Sequence, residues 1–138
     1  MMVFLDTNLW VYLYSQSPQD KHQIVRDLVN AHFEEIIIST QIMGELYNVF
    51  VKKGFMTKQD AKEIILETMA TFPTISIDTS IVVKALEINE RYDYTYWDSL
   101  VLATALLNNC TLLFSEDMQN NQVLENKITI VNPFKITN

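Results

Sequence analysis

Four acidic residues, widely separated in the chain, occupy positions from which their side chains could act together: Asp6, Glu45, Asp98 and Asp117. Carboxylates packed within several ångströms of one another repel, and a hard divalent cation removes the conflict. Oxygen-only ligands of this kind suit Mg²⁺ or Mn²⁺, which share the rest of their coordination with water and substrate phosphate. Such an ion can activate water and stabilise an in-line displacement, so the pattern predicts phosphodiester hydrolysis.

The predicted strands and helices determine where these acids lie. Asp6 and Asp117 each follow an apolar strand, whereas Glu45 lies in the second turn of a helix and Asp98 begins another. In a parallel α/β sheet the carboxyl ends of the strands form one rim, where ligands bind, and the next helices begin there. Taken singly, each acid is explained more simply as a helix cap or a solvated side chain. The set of four at matched positions indicates a metal site.

Short apolar runs alternate with helical segments along the chain. Strands are predicted at residues 2–5, 36–38, 75–77, 111–114 and 128–131. Helices are predicted at residues 9–14, 20–33, 40–53, 57–71, 80–91 and 99–107, with a short polar helix at 121–125. Alternation of this kind predicts an α/β fold with a parallel sheet, right-handed crossovers and helices on both faces.

Length, charge and cysteine content limit the class of protein. A chain of 138 residues has the size of one domain, so residues 1–138 are predicted to form a single domain. The only cysteine, Cys110, cannot form an internal disulfide, which favours a reducing, cytoplasmic setting. No apolar run approaches the ~20 residues of a membrane span. The net charge of −7 argues against broad affinity for nucleic acid and suits a basic protein partner.

Several short motifs carry a resemblance to a known family. In chain order they are Asp6-Thr7-Asn8, Glu45-Leu46, Tyr96-Trp97-Asp98-Ser99-Leu100, Ser115-Glu116-Asp117 and Asn132-Pro133-Phe134. Together they resemble the PIN-domain family and, more narrowly, the VapC-like ribonuclease toxins of bacterial type II toxin–antitoxin pairs. The match spans nearly the whole chain, and the joint order of the motifs is highly specific.

The resemblance implies a role for each acid. Asp6 and Asp98 would be direct ligands of Mg²⁺, Asp117 would hold a second ion or a metal-bound water, and Glu45 would position or activate water. Asn8 and Ser115 match polar positions that support the carboxylates in that family. The chain carries Glu116 where the family often has Asn, and this side chain is expected to point outward, away from the site.

The resemblance also implies a fold and partners. The fold would be a three-layer sandwich around a five-stranded parallel sheet in the order 3-2-1-4-5. The partners would be a second copy of the chain, a cognate antitoxin covering the active site, and an RNA substrate. A groove for the antitoxin is predicted from the aromatic residues Trp10, Tyr12, Tyr14, Tyr47 and Phe50. Tyr94 and Tyr96 could stack on unpaired bases, and Trp97 is expected to pack against the sheet.

Two other functions remain open. The chain could be a PIN-fold module that binds RNA or protein with weak or no catalysis, although it keeps all four acids. It could also transfer phosphate through an aspartate, as haloacid-dehalogenase-like phosphatases do. Those enzymes require a second Asp two residues after the first, where this chain has Asn8. The predicted function is therefore a metal-dependent endoribonuclease that leaves a 5′-phosphate and a 3′-hydroxyl.

Overall fold

The computed structural model describes residues 1–135, so the last three residues of the predicted domain, 136–138, lie outside the described part. Strands and helices alternate as the sequence predicts. The strands are β1 (Met2–Leu5), β2 (Ile36–Ser39), β3 (Thr74–Ile75), β4 (Cys110–Phe114), β5 (Val123–Leu124) and β6 (Ile128–Val131). The helices are α1 (Thr7–Tyr14), α2 (Gln19–Ala31), α3 (Thr40–Lys52), α4 (Lys58–Thr71), α5 (Thr79–Arg91) and α6 (Tyr96–Leu107).

The sheet has the order β3-β2-β1-β4-β6-β5. Neighbouring strands from β3 across to β6 are all parallel. With β6 as the fifth predicted strand, this confirms the predicted order. The two-residue strand β5 adds an antiparallel edge next to β6. The helix predicted at residues 121–125 is therefore wrong. Glu125 and Asn126 both have positive φ, 52° and 54°, and so form a tight hairpin turn between β5 and β6. This turn geometry matches the strand twist and is incompatible with a right-handed helix.

Right-handed crossovers decide on which face of the sheet each helix lies. From β1 through β2 to β3 the chain moves outward in one direction, which places α1 to α4 on one face. The return from β3 to β4, on the other side of β1, places α5 and α6 on the opposite face. The packing agrees, because α1 contacts α2 and α3, α3 contacts α4, and α5 contacts α6. The predicted three-layer arrangement is confirmed.

The centre of the core is β1. Its residues Val3, Phe4 and Leu5 are fully buried, and Val3 pairs with Ile36 on one side and Leu112 on the other. A parallel strand covered by helices on both faces is expected to be a continuous apolar run, as this one is. In the part of the chain that the structure describes, no helix combines the length and apolar character needed to cross a membrane.

Candidate active site

Asp6 lies at the end of β1, next to the end of β4. Its backbone N–H donates to the carbonyl of Phe114 at 2.9 Å, so the pairing of the two central strands extends to the rim. Its Oδ1 accepts the N–H of Thr7 at 2.8 Å and caps α1, while Oδ2 accepts the hydroxyl of Ser115 at 2.8 Å. The residue is only 8% exposed. Asp6 is therefore both a helix cap and a member of the rim, two roles that the sequence presented as alternatives.

Asp117 is brought back to the rim by a turn after β4. The Oγ of Ser115 accepts the N–H groups of Asp117 and Met118, each at 3.3 Å. The side-chain amide of Asn8 donates to Oδ2 of Asp117 at 3.0 Å. Both residues predicted to support the carboxylates, Asn8 and Ser115, are thus bonded to members of the acidic set.

Glu45 is placed by the start of α3. Ser39 caps this helix by accepting the N–H of Ile42 at 3.2 Å, which leaves Glu45 in the second turn. The Oε1 of Glu45 accepts the hydroxyl of Thr7 at 3.2 Å and the amide of Gln41 at 3.5 Å. Glu45 is thereby tied to the first residue of α1.

Asp98 is held in the first turn of α6. Thr95 caps the helix by accepting the N–H of Asp98 at 3.1 Å, which leaves the carboxylate of Asp98 at the rim. Helix α6 lies on the opposite face of the sheet from α3, and the two helices are joined at their starts. The amide of Gln41 donates to the carbonyl of Trp97 at 3.1 Å, one residue before Asp98.

The four acids lie within electrostatic range of one another at the rim. Burial raises the pKa of Asp6; the hydrogen bonds from Ser115 and Thr7 oppose that rise, and the charges of Asp98 and Asp117 add to it. Burial also raises the pKa of Glu45, with further contributions from Asp6 and Asp98.

Asp98 follows the same pattern. Burial raises its pKa first, and the charge of Asp117 adds to the rise. Carboxylates that raise each other's pKa values carry more negative charge than their surroundings neutralise. We name these four residues, Asp6, Glu45, Asp98 and Asp117, the acidic cluster.

The donor atoms of the acidic cluster suit a hard divalent cation, but they do not form a finished coordination shell. Among residues 1–135, no three His, Cys, Asp or Glu side chains are grouped closely enough to hold a metal ion as they stand. The side chains of the described residues that donate hydrogen bonds to these carboxylates are neutral: Thr7, Asn8, Gln41 and Ser115. Within residues 1–135 the negative charge therefore stays uncompensated, and a hydrated Mg²⁺ or Mn²⁺ has the chemistry to compensate it.

Unpartnered polar atoms around the acidic cluster support the same reading. Within the described residues, Oδ1 of Asn8, Oε1 of Gln41 and Oγ of Ser99 are buried without a hydrogen-bond partner. Asn8 and Gln41 bond to members of the cluster, and Ser99 follows Asp98 in the chain. Buried polar groups normally find a partner, so the orphaned oxygens of Asn8 and Gln41, whose amides bond to the charged site, indicate room for bound water or a hydrated ion.

The side chain of Glu116 points away from the acidic cluster, as expected, but its carboxylate is bonded to other side chains and does not face open solvent. Its Oε1 accepts the hydroxyl of Tyr12 at 2.6 Å, and its Oε2 pairs with the ammonium of Lys21. Lys21 in turn lies 5.1 Å from the ring centroids of both Tyr12 and Phe134. Glu116 is thus compensated by its own cation, whereas the neighbouring Asp117 forms no salt bridge with any residue that the structure describes.

The aromatic residues depart from two expectations. Trp10 and Phe50, predicted to line an antitoxin groove, are 0% and 1% exposed and belong to the core, because their helices pack on the sheet. Trp97, expected to pack against the sheet, is 64% exposed. It lies at the start of α6, where its ring contacts Tyr96 edge-on at 5.1 Å, and so stands at the rim beside Asp98.

Thr7 and Gln41 belong to the site although the sequence did not single them out. Thr7 links Asp6 to Glu45, and Gln41 links Glu45 to Trp97. In the sequence, only the positions of these two residues could have indicated their role. Thr7 follows Asp6 directly, and Gln41 lies four residues before Glu45 on the same face of a helix.

Comparison with known proteins agrees with this architecture. The profile of the PIN domain matches residues 3–123 of the chain. No curated protein sequence matches it. A toxin–antitoxin complex from Klebsiella pneumoniae contains a similar structure, with a TM-score of 0.74 and 20% identity over 99% of this chain and 100% of that chain.

Two further solved structures share the fold. VapBC2 from Rickettsia felis, bound to a DNA fragment from its promoter, has a TM-score of 0.71 and 16% identity over 94% of this chain and 97% of that chain. VapC20 from Mycobacterium tuberculosis, described as a toxin that cleaves the sarcin-ricin loop, has a TM-score of 0.69 and 16% identity. That match covers 83% of this chain and 91% of the other. At these identities the likeness shows the fold.

Proposed function

The chain belongs to the PIN domain family, and from this premise we propose that it is a metal-dependent endoribonuclease serving as the toxin of a toxin–antitoxin pair. The observation that carries the proposal is the acidic cluster, which brings carboxylates from four separate segments to one rim of the sheet. Burial raises the pKa values of Asp6, Glu45 and Asp98, and the charges of other members of the cluster add to each rise. The similar structures described as toxins, one of them cleaving the sarcin-ricin loop, support the same class of activity.

In this proposal the residues have distinct tasks. Asp6 and Asp98 bind Mg²⁺ or Mn²⁺ directly, and Asp117 holds a second ion or an ion-bound water. The ion supplies charge neutralisation and an activated water for attack on the phosphodiester. Asp6 suits a ligand because both of its oxygens are already oriented, by Thr7 and Ser115.

Glu45 positions the attacking water and accepts its proton. The raised pKa of Glu45, caused first by burial, makes it a stronger base than a solvated glutamate. Thr7 and Gln41 hold its Oε1, which fixes the direction of the carboxylate. Asn8 and Ser115 support Asp117 and Asp6 in the same way.

The proposed partners follow from charge and from the exposed rim. A basic antitoxin segment would neutralise the acidic cluster of a chain with net charge −7 and block it. Tyr12, Tyr14 and Tyr47 remain partly buried at the surface and could contact it. Unpaired RNA bases could stack on the exposed Trp97 and on Tyr94 and Tyr96. We further propose a homodimer of single-domain chains acting in the cytoplasm.

The decisive experiment compares RNA cleavage by the wild type and by Asp6→Asn with Mg²⁺ or Mn²⁺ present. Asn can also cap a helix, so this substitution removes the charge and keeps the start of α1. The wild type should produce 5′-phosphate and 3′-hydroxyl ends, and Asp6→Asn should not cut. Asp27→Asn, on the exposed face of α2, is the matched control and should cut normally. A 2′,3′-cyclic phosphate product would contradict the mechanism.

A second candidate function is a PIN-fold module that binds RNA or protein without cutting it. The observation in its favour is that the described acids do not form a ready-made ligand group. Equal, background-level cleavage by the wild type and by Asp6→Asn, with RNA binding retained, would establish this reading.

A further inference from the structure

The motif Asn132-Pro133-Phe134 has no task in the proposed function, although it lies beside the acidic cluster. It follows β6 directly, as Ser115 follows β4, and these two strands are parallel neighbours. The N–H of Ser115 donates to the carbonyl of Val131 at 3.0 Å, so the contact between the strands extends to their ends. Because the carboxyl ends of parallel strands form one rim, Asn132 belongs to the rim that carries the carboxylates.

Asn132 is buried, and both ends of its carboxamide are bonded. The residue is 4% exposed. Its Oδ1 accepts the N–H of Phe134 at 2.9 Å, and its Nδ2 donates to the backbone carbonyl of Glu116 at 3.1 Å. Its own N–H donates to Oδ1 of Asn120 at 2.8 Å. A backbone N–H can only donate, so the contact with Phe134 assigns Oδ1 and leaves Nδ2 as the donor to Glu116.

The peptide group between Glu116 and Asp117 is held at both ends. Its carbonyl accepts Nδ2 of Asn132, and its N–H donates to Oγ of Ser115 at 3.3 Å. A peptide group is planar, so it cannot rotate without breaking one of these two hydrogen bonds. The orientation of this peptide group in turn directs the side chain of Asp117.

Asp117 needs such support because the rest of the acidic cluster repels it. Its charge acts on Asp6 and on Asp98, and repulsion between like charges favours an orientation of Asp117 toward solvent. Asp117 is exposed, and among the described side chains only the amide of Asn8 donates to its carboxylate, at 3.0 Å. A fixed backbone therefore helps to keep Asp117 at the site before a metal ion neutralises the charge.

The side chain of Glu116 gives the same turn a further anchor. Tyr12 donates to its Oε1 at 2.6 Å, and the ring of Tyr12 contacts the ring of Phe134 edge-on, with centroids 5.4 Å apart. Since Phe134 also bonds to Asn132, the four residues form a closed loop of contacts. The motif after β6 and the turn after β4 are therefore one packed unit.

We propose that Asn132 is a positioning residue for the reaction: by fixing the carbonyl of Glu116, it keeps Asp117 where the acidic cluster binds its metal ion. The inference rests on the proposed ribonuclease function and adds to it a residue that touches neither metal nor RNA. Removing a hydrogen-bond partner behind a metal ligand typically costs ~10–100-fold in metal affinity. Because Asn132 acts through the backbone, Asn132→Ala should lie at the lower end of this range, about tenfold.

The first test needs neither metal nor RNA. In the metal-free, ¹⁵N-labelled chain, the side-chain amide signal of Asn8 reports on its hydrogen bond to Asp117. This signal should shift in Asn132→Ala and stay in place in the control Asn108→Ala. The amide of Asn108 also donates to a backbone carbonyl, that of Thr104 at 2.8 Å, but at the opposite end of α6 from the rim. An unchanged Asn8 signal in folded Asn132→Ala overturns the inference.

The second test measures Mn²⁺ affinity from the EPR signal of the free ion. Asn132→Ala should raise the dissociation constant about tenfold, and Asn108→Ala should leave it unchanged. Both variants lose one amide-to-carbonyl hydrogen bond, so a difference between them is not a general effect of lost stability. Equal affinity of Asn132→Ala and the wild type overturns the inference alone. A wild type that cuts no RNA, with the Asn8 shift present in Asn132→Ala, overturns the proposed function alone.

A third measurement uses only the wild type and applies if Asn132→Ala does not fold. Coupling between two sites is reciprocal, so a bound metal ion must strengthen the contact that favours its binding. Saturating Mg²⁺ should therefore slow the solvent exchange of the Asn132 side-chain amide protons and leave that of the Asn108 protons unchanged. Mg²⁺ that shifts the Asn8 signal without slowing exchange at Asn132 overturns the inference.

Discussion

The hydroxyl of Ser115 donates a hydrogen bond of 2.8 Å to Oδ2 of Asp6, a residue 109 positions earlier in the chain. The same oxygen accepts the N–H groups of Asp117 and Met118. A single buried hydroxyl therefore orients one carboxylate of the acidic cluster and forms the turn that carries another. This makes Ser115 the residue through which the ends of β1 and β4 are coupled.

Replacing Ser115 with Ala should destabilise the protein by about 1–3 kcal/mol, because two backbone N–H groups lose their acceptor in a buried turn. The pKa of Asp6 should rise further, since the Ser115 bond lowers it. Urea unfolding measures the free energy, and Ser80→Ala, at an exposed position on α5, is the control. Equal stability of the two variants would contradict the role given to Ser115.

Asp98→Asn should stabilise the metal-free protein near neutral pH. The pKa of Asp98 is raised in the folded state, by burial and then by Asp117, so the folded state binds this proton more tightly than the unfolded state. Stability is therefore lost as pH rises from the ordinary aspartate pKa through the raised one, and stays reduced above it.

The melting temperature of Asp98→Asn should consequently exceed that of the wild type at about pH 7, and the gap should close as the pH falls. Asp27→Asn on α2, an exposed position, should show no such gap. If Asp98→Asn instead unfolds the protein, Asp98 has a structural role.

Mn²⁺ should raise the melting temperature of the wild type, because an ion that binds only the folded state stabilises it by about 2.7 kcal/mol at a hundred times its dissociation constant. Asp98→Asn should remove most of this increase, and Asp27→Asn should keep it. Thermal scans with and without Mn²⁺ provide the measurement. Identical increases in both variants would exclude Asp98 as a ligand.

Leu113→Ala should cost about 2–5 kcal/mol of stability through a cavity in the core. Leu113 is fully buried in β4, whereas Leu107 at the end of α6 is 46% exposed. Leu107→Ala should therefore cost much less in the same denaturant titration. A small effect at Leu113 would mean that the central strand can collapse around the lost side chain.

Cys110 should react slowly with alkylating reagents in the native protein. Burial raises the pKa of its thiol to about 12, so almost no thiolate is present near neutral pH. Mass spectrometry after iodoacetamide treatment should find the native chain unmodified and the urea-unfolded chain modified. Rapid labelling of the native chain would show that β4 opens readily.

The strand order was predicted through the family resemblance, whereas the rim position of the carboxylates was argued from the residues. Apolar runs identified β1, β2 and β4, and the carboxyl ends of parallel strands form one rim, where Asp6, Asp117 and the start of α6 were expected and are found. Side-chain exposure was harder to predict. Trp97 lies in the first turn of an apolar helix, directly after the cap at Thr95, and is nonetheless exposed.

The hairpin at β5 shows a second limit. Its turn uses positive φ at Glu125 and Asn126, where a glycine would have given a clear signal and Glu gives none. The contacts of Thr7 and Gln41 could not be predicted from the sequence either, because they depend on how α1, α3 and α6 pack against one another. Local pattern predicts elements, whereas packing between elements decides which neutral side chains meet an acid.

The pairing of β1 with β4, a strand near the end of the chain, affects when the site can form during protein synthesis. On a ribosome that adds ~5–20 residues per second, the first strand must wait for residues 110–114 before it gains its second partner. The nascent chain therefore cannot assemble its carboxylates until Asp117 has emerged. The rim that carries them is complete only once that segment has been translated.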